Sequence, residues 1–104
     1  MFGLLVTFTI KQELISEFDA YLDSLIEKMK CNEPNTLLYV SDQITDIANQ
    51  RLLYELYKDH DSFMEHESQP YIKGFLLERN KYMSKEPEIK MLRMLSMSNK
   101  IIGE

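Results

Sequence analysis

The period of the apolar residues switches repeatedly along this chain, and that alternation limits the folds open to it. Phe2, Leu4, Val6, Phe8 and Ile10 share one face of the first ten residues, with Gly3, Leu5, Thr7 and Thr9 on the other. Period two with β-branched and aromatic residues predicts a strand. From Gln12 to Lys30 the period lengthens: Leu14, Phe18, Tyr21, Leu22, Leu25, Ile26 and Met29 recur at three and four, opposite a charged face. This predicts an amphipathic helix, with acids early and Lys late to suit its dipole. Pro34, in Cys31-Asn32-Glu33-Pro34-Asn35, stops it, because proline lacks an N–H and restricts its predecessor.

Period two returns in Thr36 to Asp42 and in Gln50 to Lys58, a hairpin around a polar turn from Asp42 to Asn49. Asp59 to Glu67 reads as a short helix, with Asp59 or Asp61 as its N-cap. Ser68-Gln69-Pro70 breaks it, and Pro70 suits the first turn of a further helix running to Met83. Ser84 to Pro87 ends that helix. Glu88 to Ser98 reads as a last strand, and Asn99 to Glu104 as a frayed tail. The order is β-α-β-β-α-β with a broken second helix, which predicts an α+β, ferredoxin-like antiparallel sheet in one domain over residues 1–98. A length of 104 residues holds one core and not two.

Helices in this arrangement cover one face of the sheet. Several strands are nevertheless apolar on both faces, as at Leu37 and Leu38, Leu52 and Leu53, Met91 and Leu92, and Met94 and Leu95. A lone copy exposes the second face as an apolar patch. The expected partner is a second copy packed sheet to sheet with two-fold symmetry, a dimeric α+β barrel. A half-polar face turned to water is the alternative.

Charge excludes other partners. Lys and Arg total 12 against 17 Asp and Glu, a net charge of -5. This balance disfavours nucleic acid and anionic membranes. No stretch approaches the roughly 20 apolar residues of a membrane span, and the apolar start lacks a signal peptide's basic region and cleavage site. The one cysteine, Cys31, forms no intrachain disulfide, which points to a reduced thiol in the cytoplasm. Glycine-rich phosphate loops, the nucleophile elbow and C-x-x-C are absent. His60 and His66 are six apart, the wrong spacing for two metal ligands on one helix face, and no metal site is expected.

The stretch from Glu33 to Phe75 carries the most information. Glu33-Pro34-Asn35 precedes Tyr39. Tyr54-Glu55-Leu56-Tyr57 runs into Lys58-Asp59. Phe63-x-x-His66 is followed by Ser68-Gln69-Pro70-Tyr71 and Lys73-Gly74-Phe75. This ordered set resembles the antibiotic biosynthesis monooxygenase family. Asn35 stands where that family usually has Gly, and Tyr57 where it often has Trp. The resemblance implies the same fold, a homodimer and a pocket for a small aromatic substrate in each protomer. It also implies several possible activities. Some members oxygenate quinols or anthrones without metal or flavin, whereas others are isomerases or haem degraders. The haem-degrading branch fits worst, since its helical Trp position is His66 here and its haem-ligating His position is Leu76.

His66 and Glu55 are the catalytic candidates, with no cofactor. A cofactor-free oxygenase must ionise its substrate, and a base with a reference pKa near 6.5 suits that step. His66 shares a helix face with Phe63, three residues away. Its alternative role is to bond a backbone carbonyl at the break before Pro70. Glu55, if inward, orients His66 or takes a proton; otherwise it pairs across strands with Arg93 or Lys90. Tyr39, Tyr57, Tyr71 and Phe63 are the substrate-binding candidates, although such residues also fill cores and interfaces. Arg93 can attract an anionic substrate or lie on the surface. His60, between two acids, reads as a solvated turn residue. Three functions stay open on these residues: a monooxygenase, an isomerase using His66 for proton transfer, and a non-catalytic dimer that binds a small ligand.

Overall fold

The computed structural model describes residues 1–98, so the expected tail lies outside the described residues. The chain runs through β1 (Phe2–Thr9), a 3-10 turn at Gln12–Leu14, α1 (Ile15–Asn32), β2 (Thr36–Ile44) and β3 (Ile47–Tyr57). It continues through α2 (His60–Ser68), α3 (Pro70–Glu78), a second 3-10 turn at Arg79–Tyr82 and β4 (Glu88–Arg93). The strands form one antiparallel sheet in the order β2-β3-β1-β4. This is the α+β, ferredoxin-like fold that the changing periodicity predicts. No described helix is long and apolar enough to cross a membrane.

The helix expected to run to Met83 ends at Glu78 and tightens into the second 3-10 turn, and two strand readings differ from expectation for backbone reasons. The stretch from Asp42 to Asn49 is not a long turn. Both strands extend through it to a tight turn at Thr45 and Asp46, because backbone pairing continues where side chains are solvated. The last strand ends at Arg93 rather than Ser98. Arg93 pairs with Phe2, where β1 begins, so the residues beyond have no neighbour to bond.

The helices lie on one face of the sheet. Leu4, Val6 and Phe8 of β1 and Leu53 and Tyr57 of β3 pack against Phe18, Leu22, Leu25 and Met29 of α1 and Ile72 and Phe75 of α3. Each fully buried side chain of this kind contributes roughly 1.5–3 kcal/mol. Arg51 ties α1 to β3 through a two-pronged ion pair with Asp19 at 2.9 and 2.8 Å. Asp59 caps α2 by accepting from the Ser62 amide at 2.8 Å, and Pro70 opens α3 at its first turn. Ile72 is fully buried, so Ile72→Val is expected to lower the unfolding free energy by about 1 kcal/mol. A denaturant melt with an unchanged midpoint would show that α3 does not seal this core.

No described helix covers the opposite face. Leu38, Val40, Leu52, Tyr54 and Leu56 occupy it on β2 and β3, by register, with Leu5 and Leu92 on β1 and β4. Gly3 lies among them. A Cβ there would meet the Glu55 carbonyl oxygen at 3.2 Å, so glycine permits close strand packing.

Candidate functional site

The turn after α1 carries Glu33 to the flank of α2. This side chain is buried and accepts three hydrogen bonds. His66 Nδ1 lies 2.6 Å from its Oε1, the Thr36 hydroxyl donates to the same oxygen at 2.7 Å, and the Tyr71 hydroxyl donates to Oε2. Burial pushes the Glu33 carboxyl up, but the bonds from His66, Tyr71 and Thr36 together outweigh it and hold it below the usual carboxylate range. A carboxylate only accepts, so His66 Nδ1 carries the proton. Nε2 is the other nitrogen of a ring that lines a cavity. The rings of Tyr57 and Tyr39 flank the imidazole, with centroids 5.2 and 5.7 Å away.

Glu55 points inward near the C-terminal end of β3, between Leu4 on β1 and Tyr39 on β2. The Tyr57 hydroxyl donates to its Oε1 at 2.6 Å. Burial pushes the Glu55 carboxyl up, and the Tyr57 bond and the nearby His66 offset this only in part. Burial and then Glu55 push the Tyr57 and Tyr39 hydroxyls up as well. The two carboxyl groups therefore differ. Glu33 is held below the usual carboxylate range, whereas burial raises Glu55 above it.

The cavity has a volume of about 390 Å³ and lies between the sheet and the α2–α3 segment. Leu4, Val6, Phe8, Ile72 and Phe75 make its apolar walls, and Ile89 and Met91 stand at the β4 side. Its polar lining is Tyr39, Glu55, His66, Glu67 and Arg79. A mostly apolar cleft with a few convergent polar groups is the usual form of a small-molecule site.

Of the six residues singled out in the sequence, His66, Glu55, Tyr39 and Phe63 line this cavity. Tyr57 and Tyr71 stand behind that wall, each donating to a carboxylate. His66 is oriented by Glu33 rather than by Glu55. The cross-strand pair of Glu55 with Arg93 or Lys90 does not form, because β1 lies between β3 and β4. Arg93 is exposed and off the cavity wall. His60 opens α2, exposed, with its ring edge-on to Phe2 at 5.1 Å. Glu33 as the partner of His66, and Arg79 and Glu67 as lining residues, were not singled out for those roles. Among the described residues, no three His, Cys, Asp or Glu side chains converge as a metal site.

The chain matches the sequence profile of antibiotic biosynthesis monooxygenases over residues 1–76. Its structure is similar to that of a proposed antibiotic biosynthesis monooxygenase from Caulobacter crescentus. The two are 24% identical, with a TM-score of 0.85 over 91% of this chain and 90% of that one. A protein from Mycobacterium tuberculosis is 18% identical, with a TM-score of 0.85 over 93% of this chain and 97% of the other. A conserved protein from Methanosarcina mazei is 24% identical, with a TM-score of 0.82 over 88% of this chain and 90% of the other. At these identities the structural likeness speaks for the fold. No functionally curated protein matches the sequence.

Proposed function

The chain belongs to the antibiotic biosynthesis monooxygenase family, and from that premise we propose that it is a cofactor-independent monooxygenase of a planar aromatic substrate such as a quinol or anthrone. The observation that supports this reading is the His66–Glu33 pair on the wall of an apolar cavity, with Nε2 free of protein partners among the described residues. His66 Nε2 takes a proton from the activated methylene or hydroxyl of the substrate, and the Glu33 carboxylate stabilises the imidazolium that forms. The apolar walls give the substrate ring a surface to lie on.

For an anthrone the balance is simple. The carbanion left by proton removal gives one electron to dioxygen, and the two radicals join in a carbon–oxygen bond. The oxygen–oxygen bond then breaks as the second methylene hydrogen leaves as a proton. One oxygen stays as the ring carbonyl and the other departs as water, taking one proton back from His66 and one from Glu55, which the second methylene proton replaces. Glu55, biased toward its acid form, protonates the departing oxygen, and the Tyr39 hydroxyl orients the substrate oxygen. Tyr57 and Tyr71 act through Glu55 and Glu33, and Phe63 packs on the ring.

The functional unit in this reading is a homodimer closed through the open sheet face, where Leu38, Val40 and Tyr54 offer the apolar surface. The exposed, unpaired Cys31 suits a reducing compartment such as the cytoplasm.

Oxygen uptake by chelator-treated protein over a panel of quinols and anthrones tests the proposal. Uptake that requires the protein but no added metal or flavin is expected. A folded protein that consumes no oxygen across the panel overturns it. The pairing of an acid-biased Glu55 with His66 on one wall favours a second reading, an isomerase, whose sign is substrate conversion without oxygen consumption.

A further inference from the structure

We propose that the cavity takes a planar aromatic acid whose carboxylate is bound by Arg79. The inference rests on the cavity being the reaction site proposed above, and it adds the chemical class of the substrate. Arg79 follows the last residue of α3, is half-buried and is the only Lys or Arg on the cavity wall among the described residues. Its Cζ lies 5.8 Å from the ring centroid of Phe8, itself part of the wall. The ion pairs among the described residues are Lys30–Glu27, Arg51–Asp19, His66–Glu33 and Lys85–Glu88, and Arg79 is in none of them. Glu67 lines the same cavity but does not come within ion-pair distance of it.

The cavity therefore sets one cation among its acid–base groups. Glu55 stands beside its strand partner Leu4. Arg79 stands over Phe8, four residues further along β1, and is close enough for its charge to act on both Glu55 and Tyr39. Val6, Ile72 and Phe75 supply apolar wall in the same cavity. This layout suits a flat apolar body that lies along the apolar wall with its carboxylate against Arg79. A half-buried guanidinium has lost part of its hydration, and a carboxylate restores its hydrogen bonds through a two-pronged contact. A neutral aromatic leaves it unpaired.

The test compares 2-naphthoate with its uncharged isostere 2-naphthamide, by titration calorimetry on the intact protein. Neither probe needs to react, so the outcome is independent of turnover. Naphthoate is expected to bind about tenfold more tightly. Arg79→Gln should bring the two within about twofold of each other by weakening naphthoate alone, and Arg93→Gln should leave the preference intact. Arg79→Met, which keeps an apolar stem against Phe8, should lose the preference in the same way if the Gln variant folds poorly. The inference is overturned if folded wild-type protein binds both probes equally or fails to bind naphthoate. It is also overturned if the preference survives loss of the guanidinium. Absent oxygen uptake with an intact, Arg79-dependent preference would remove the monooxygenase reading and leave the ligand class standing.

Discussion

Replacing His66 by asparagine is expected to lower oxygen consumption by about a hundredfold to ten-thousandfold, the usual contribution of a positioned general base, and to leave the protein folded. The choice of asparagine follows from the geometry. Its side-chain amide can reach Glu33 much as Nδ1 does, so the buried carboxylate keeps its third donor. What disappears is Nε2, the nitrogen assigned to the substrate proton. His66→Ala removes both. It should lose the same activity and also destabilise the fold, because Glu33 then holds its charge with only Thr36 and Tyr71 as donors. Steady-state oxygen uptake and a denaturant melt on each variant separate the two effects. An asparagine variant with wild-type turnover would remove His66 from the chemistry.

Glu33→Ala should lower stability by about 3 kcal/mol, since it leaves three donors around a buried gap without an acceptor. It should also reduce turnover, because the imidazole loses both its orientation and the charge that stabilises its protonated form. Glu33→Gln separates these contributions. It restores an acceptor and most of the stability, but not the charge, so the pH profile of turnover should shift while the melt recovers. The pH dependence of folding has a definite sign. The Glu33 carboxyl is held below its unfolded value by its three donors, against the upward push of burial. Its contribution is fully present above the unfolded carboxylate pKa of about 4.3 and is lost as pH falls through the lower folded value. The alanine variant should therefore lose less stability on acidification than the wild type. Parallel acid-side slopes would show that Glu33 is not held as an anion.

The fold was legible because its signals are local. The change of period at Gln12, the breaks at Pro34 and Pro70 and the cap at Asp59 each act within a few residues. Strand ends were less legible, since pairing depends on where a neighbour begins: Arg93 ends β4 because Phe2 begins β1. The site was legible in part. The spacing of Phe63 and His66 turns both toward the sheet, and the inward face of Glu55 follows from strand alternation once the core face is known. Glu33 was harder to assign. It lies 33 residues from His66 and reaches it only because the turn after α1 packs beside α2. Arg79 looked like one more charge near a helix end, and only the position of Phe8 beneath it turns it into a wall of the cavity.

The most direct test of the central claim is isotopically labelled dioxygen supplied to the chelator-treated protein with an anthrone, the product and the water being analysed by mass spectrometry. The account predicts one labelled oxygen in the new ring carbonyl and the other in water, with both signals lost in His66→Asn. Labelled hydrogen peroxide with an unlabelled product, or labelling that persists without His66, would contradict it.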